Sequence, residues 1–228
     1  MFPRWTPFNR LGHLWQWILD DHRQVLPASP MGKSLPERFV LWVDGVGGYL
    51  ACLSDEITLG QATPETTVDI PILADLSGKH ATLRRQGEHY LIEPAGKVFL
   101  NGTKVEEPAL LADNDLLTLG DDVELRFQMP HPLSATACLN FTNHYRTEPR
   151  SDAILLISQS LILGPGNHNH VVCRQWPENI VLFHEKNRLY CRSRQTVELD
   201  GQPLKSTTPI QCGQQISLDG CAISLEEV

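Results

Sequence analysis

The chain has 228 residues, 41% of them apolar, enough to fill two cores of ordinary domain size. Its formal charge is −8, and the acidity is concentrated in residues 37–130, which carry seven basic and sixteen acidic side chains. Such a surface repels a phosphate backbone and argues against nucleic-acid binding, and the lack of any run of about 18 apolar residues argues against a membrane span. Cysteines 52, 138, 173, 191, 212 and 221 show no paired spacing. They read as small buried hydrophobes of a reducing compartment, so a cytoplasmic protein is expected.

Residues 9–26 place Leu11, Leu14, Trp15, Ile18 and Val25 at helical spacing behind Asn9 as an N-cap, which predicts a short amphipathic helix. Residues 27–36, PASPMGKSLP, read as a linker. After Pro36 the pattern becomes that of strands: 39–43, 49–53, 57–59, 81–83, 90–92, 98–100, 116–119 and 123–127 are short runs rich in β-formers. Turn signals separate them, among them Gly47-Gly48, Gln86-Gly87, Asn101-Gly102 and Asp121-Asp122. Many short strands so spaced predict an all-β sandwich.

The second half repeats the first. Val98-Phe99-Leu100-Asn101-Gly102 aligns with Val197-Glu198-Leu199-Asp200-Gly201, and the same spacing brings Leu117 onto Ile216 and Leu119 onto Leu218. Upstream, Ile57-Thr58-Leu59-Gly60 aligns with Leu161-Ile162-Leu163-Gly164 at a longer spacing, so the second copy is shorter between Gly164 and Leu189. The expected organisation is an N-terminal helical arm and linker at 1–36, one sandwich at 37–130 and a second at 131–228, joined through Pro130 and Pro132.

In the first repeat Gly60 ends a strand, Ser77-x-x-His80 forms a turn, Asn101-Gly102-Thr103 follows, and Asn114-Asp115-x-Leu117-x-Leu119-Gly120 closes the set. Taken together this resembles the forkhead-associated (FHA) domain over roughly residues 39–127. The resemblance implies two tandem FHA-like β-sandwiches, the second degenerate, and a ligand site for phosphothreonine peptides on the loops at one end of the first. It implies that Ser77 donates to a phosphate oxygen, that Asn101 holds the peptide backbone, and that Gly60, His80, Gly102 and Thr103 support the loops. The family's arginine after the strand-ending glycine is Gln61 here, so a charged fork is replaced by two neutral donors and weak binding is expected. Lys79 within the turn, and Arg84 and Arg85 on the next strand, form the basic cluster that could compensate.

In the second repeat Pro165 follows Gly164, residues 165–188 hold no Ser-x-x-His, and Asp200 replaces Asn101, which implies that the site is lost there. His168-x-His170 offers two imidazoles, too few for a metal centre, and no catalytic motif stands out, so neither metal, cofactor nor enzymatic activity is expected. The leading expectation is a phosphothreonine-peptide-binding module of Ser/Thr kinase signalling. Its alternative is a phosphate-independent scaffold that holds an unmodified protein partner. The sequence leaves the oligomeric state open.

Overall fold

The computed structural model describes residues 34–61, 63, 67–218 and 220–228; the helix expected over 9–26 and the linker up to residue 33 lie outside them. The described chain is all-β. In the first half the strands are β1 (Arg38–Val43), β2 (Gly47–Cys52), β3 (Glu56–Gln61), β4 (Ile70–Ile72), β5 (Ala81–Gln86) and β6 (His89–Pro94). Then come β7 (Val98–Leu100), β8 (Thr103–Lys104), β9 (Ala109–Leu111), β10 (Leu116–Leu119) and β11 (Val123–Gln128). The second half holds β12 (Ala137–Phe141), β13 (Ala153–Leu156), β14 (Ser160–Gly164), β15 (Val171–Val172) and β16 (Ile180–Glu185). It ends with β17 (Arg188–Arg192), β18 (Glu198–Leu199), β19 (Gln202–Pro203), β20 (Gln215–Leu218) and β21 (Cys221–Glu227). No helix among the described residues is long and apolar enough to cross a membrane.

Three sheets build two sandwiches. A long sheet runs β19-β18-β20-β21-β1-β2-β13-β12-β11-β10-β7-β8, a five-stranded sheet runs β4-β3-β5-β6-β9, and a four-stranded sheet runs β15-β14-β16-β17. Along β2 and the residue that follows it, Leu50 and Cys52 enter the core beneath the five-stranded sheet, whereas Ala51 and Leu53 enter the core beneath the four-stranded one. Alternate residues of a strand point to opposite faces, so the two smaller sheets cover opposite faces of the long sheet. The parallel seam of β2 with β13, Leu50 beside Ile154 and Ala51 beside Leu155, serves both cores at once.

The order of the long sheet shows an exchange that chain order conceals. Its ends match, β8-β7-β10-β11 at one and β19-β18-β20-β21 at the other, but the hairpin beside β11 is β12–β13 and the hairpin beside β21 is β1–β2. The hairpin that opens each half thus extends the sheet that the other half closes. Phe39, Leu41 and Val43 of β1 lie in one core with Leu218, Ile223 and Leu225, and Leu139 of β12 lies in the other with Leu117, Leu125 and Phe127. Residues 37–130 and 131–228 are therefore interlocked, and the described residues cluster as one compact unit. The hydrophobic pattern of a hairpin specifies which face is buried but not which sheet edge it joins, so the two arrangements read alike in sequence.

Candidate functional site

Three loops of the first sandwich meet at the buried ring of His80. The ring's Nδ1 accepts from the Ser77 N–H (3.2 Å), which closes the turn after β4 upon itself. With Nδ1 accepting, the proton of the neutral imidazole sits on Nε2, which donates to the Lys97 carbonyl (2.9 Å) between β6 and β7. The same carbonyl accepts from the Gly120 N–H (2.8 Å) in the β10–β11 turn. The His80 backbone adds to this: its N–H donates to Leu59 in β3, and its carbonyl accepts from Ala95 and Gly96.

Glycines allow the close approach. A Cβ on Gly60 would stand 2.8 Å from the Ser77 carbonyl oxygen, and one on Gly96 would stand 2.6 Å from the His80 ring. Beside Gly60 the Gln61 N–H donates to the Ser77 carbonyl (3.0 Å), so the end of β3 and the Ser77 turn are pinned together. Ser77 and Lys79 are exposed above this base, and Lys79 makes no ion pair with a described residue. The Lys97 ammonium pairs with Asp121 and lies 5.4 Å from the Phe99 ring centroid. That hydrogen bond and charge hold the Asp121 carboxyl below its ordinary value. Gln61, Ser77, Lys79 and His80 are thus brought together, and Gly96 and Lys97 join them without having been picked out in the sequence. The Gly-Lys pair directly before an apolar strand was the available signal.

Asn101 is not part of this group, a correction to the expectation that it holds a peptide beside Ser77. It sits at the tip of the β7–β8 hairpin, at the opposite end of β7 from Lys97 and level with the start of β10, whose other end is Gly120. Strands of three and four residues separate the two groups by on the order of 10 Å. Its side chain is also committed: Nδ2 donates to Asp115 (2.7 Å) and Oδ1 accepts from the Leu116 N–H (2.9 Å). Asn101 and Gly102 have φ of 51° and 81°, the left-handed pair of a two-residue hairpin turn, and Thr103 opens β8 as an exposed residue. Asp200 makes the equivalent backbone bond in the second half, with φ 52° and a carboxylate oxygen accepting from the Gln215 N–H (2.9 Å), and it accepts from the Gln214 amide (3.0 Å) where Asn101 donates. An Asn or Asp at this place serves the turn, so Asp200 says nothing about a ligand.

The basic cluster of residues 79–85 also divides. Arg84 bridges Glu56 (2.8 Å) and Glu93 (2.7 Å), while Arg85 pairs with Asp55 (2.6 Å) and bonds the Tyr90 hydroxyl (3.3 Å). Their partners Glu56 and Asp55 mark the far end of β3 from Gln61. Both arginines therefore brace the opposite rim of the sheet. In the second half the turn after β15 carries Trp176, buried in the core, where the first half exposes Ser77. Among the described residues no group of three His, Cys, Asp or Glu side chains is placed to hold a metal ion.

Parts of the chain are similar to known proteins. The mouse kinesin-like protein KIF14 is 34% identical over 93 residues, which is 40% of this chain and 6% of that protein. A solved structure from a structural and functional analysis of phosphothreonine-dependent FHA domain interactions is 24% identical, with 42% of this chain and 99% of that chain covered at a TM-score of 0.32. A second, the Rv0020c FHA structure, is 20% identical over 40% of this chain and 89% of that chain, with a TM-score of 0.27. The FHA domain pattern matches residues 57–120, a span that includes Gly60, Ser77, His80, Gly96 and Lys97, and the chain accordingly carries an FHA domain there.

Proposed function

We propose that the first sandwich is a protein-recognition module that takes a phosphothreonine peptide on the loops joined by His80. The observation that carries this is the exposed Ser77 turn, held from below by His80 and carrying Lys79 with no ion pair to a described residue, in a half of the chain with seven basic and sixteen acidic side chains. Ser77 offers a hydroxyl donor and Lys79 a free charge. Gln61 offers neutral donors where a guanidinium would grip two oxygens at once. A charged contact of ~1.5–3 kcal/mol replaced by a neutral one of ~0.5–1.5 lowers affinity by about tenfold, so binding is weak. The kinase signalling setting, the cytoplasmic location and the reading of residues 131–228 as a degenerate copy of the same domain belong to this proposal.

A second reading has its own support. The exchanged hairpins and the shared seam lock the two sandwiches together, which suits a scaffold that holds an unmodified partner without phosphate. Titration of the whole chain with a randomised phosphothreonine peptide library and its unphosphorylated counterpart separates the two. Under the first reading the phosphorylated library binds better, Ser77→Ala removes the difference, and Gln61→Arg raises phosphopeptide affinity by about tenfold. Equal binding of both libraries leaves the scaffold reading.

A further inference from the structure

The exchanged β12–β13 hairpin does more than fill a core. Its connecting loop reaches back over the first sandwich and lies along the open edge of β4. Thr147 forms an antiparallel bridge to Ile72, the Leu73 N–H donates to the Arg146 carbonyl (2.9 Å), and the Glu148 N–H donates to the Pro71 carbonyl (2.9 Å). The same loop is tied to the β10–β11 turn, where the Tyr145 hydroxyl donates to Asp122 (2.7 Å) and the Asn143 amide bonds the Asp122 carbonyl (2.5 Å). Thr147 is anchored in turn by Ser151 (2.7 Å) and the Pro149 carbonyl (2.7 Å). Both elements that this loop grips, the β4–β5 turn and the β10–β11 turn, also belong to the loops around His80.

We propose that Arg146, delivered by the hairpin of the second half, is a guanidinium that binds the phosphopeptide and offsets part of the loss at Gln61. Across the sheet Gln61 is level with Ile72, and Ile72 is level with Thr147. Two strand spacings therefore separate Gln61 from this segment, about 10 Å. Because the segment runs antiparallel to β4, Arg146 lies beyond Thr147 on the side of the loop tips, beside Leu73. A long arginine side chain and a phosphate group between them close such a gap. Arg146 is exposed, and its guanidinium makes no ion pair with a described residue; its hydrogen bond goes to the Tyr145 carbonyl (3.1 Å). By contrast the arginines nearest to Ser77 in sequence, Arg84 and Arg85, are consumed by carboxylates at the far rim. A fixed backbone with a free fork beside the turn is the arrangement that phosphate recognition uses.

This rests on the phosphopeptide reading of the loops, and the test separates the two. The whole chain, Arg146→Gln, Arg146→Lys and Ser77→Ala are titrated with the phosphothreonine library and its unphosphorylated counterpart, and their thermal midpoints are measured. The expected result is a fall of about tenfold in phosphopeptide affinity for Arg146→Gln, partial recovery in Arg146→Lys, and unchanged midpoints for both. If Ser77→Ala loses phosphopeptide binding while Arg146→Gln keeps the affinity of the unaltered chain, Arg146 has no part in the site and the proposal is overturned alone. If neither phosphate nor Ser77 matters, the reading of the loops falls and the proposal with it.

Discussion

Leu139→Ala probes the hairpin exchange directly. By chain position Leu139 belongs to the second half, yet its side chain is fully buried in the first core, opposite Phe127 across β11 and β12. Truncation removes three carbons from a site walled by paired strands on both sides, where relaxation is limited. The cost is on the order of 3 kcal/mol, which for a body of nearly 200 residues lowers the thermal midpoint by roughly 6–12 °C. Amide hydrogen exchange then locates the damage: protection should fall first in β5, β10 and β11, which line the first core. Leu41→Ala, in the exchanged partner hairpin, should instead loosen β14, β16 and β20. If Leu139→Ala loosened β14 and β16 while β10 and β11 stayed protected, Leu139 would lie in the second core and the exchange would be refuted.

Three further outcomes are expected. His80→Ala should destabilise the chain by about 1–3 kcal/mol, because the Ser77 N–H loses its acceptor and the Lys97 carbonyl one of its donors, and it should weaken phosphopeptide binding in the same titration; an unchanged urea midpoint would contradict its role. Asn101→Ala should cost about 1 kcal/mol through the lost turn bonds and a left-handed backbone, while phosphopeptide affinity stays within twofold of the unaltered chain; a large loss of affinity would return Asn101 to the site. Burial holds the His170 imidazole down to about 3 from its ordinary 6.5, so below about pH 6.5 the unfolded chain binds the proton more readily than the folded one. Stability is full above that pH and is lost as pH falls towards 3, by about 2 kcal/mol at pH 5. His131 and His184, also lowered by burial, add in the same direction; equal urea midpoints at about pH 7 and pH 5 would contradict this.

The alternation of apolar residues and the turn signals of residues 39–127 sufficed for the strands themselves, since each is a local pattern of period two bounded by residues that prefer turns. β1 to β3, β5 to β7, β10 and β11 were legible in this way, as was the turn that Ser77 and His80 form three residues apart. β4, β8 and β9 were not, because strands of two or three residues carry too little pattern of their own. Which loops share an end of the sandwich was also out of reach. Asn101 and Lys97 are four residues apart and stand at opposite ends of β7, a separation that residue type does not encode.

What the sequence by itself determined is the β character of both halves and the local turn around Ser77. The tertiary structure alone decided where each opening hairpin docks, which arginines are spent on carboxylates, and that the loop bearing Arg146 crosses into the first sandwich. The physical reason is one of range. Propensity and periodicity act between neighbours along the chain, whereas the choice between two equivalent sheet edges is made by contacts about a hundred residues apart, and these become visible only once both cores are closed.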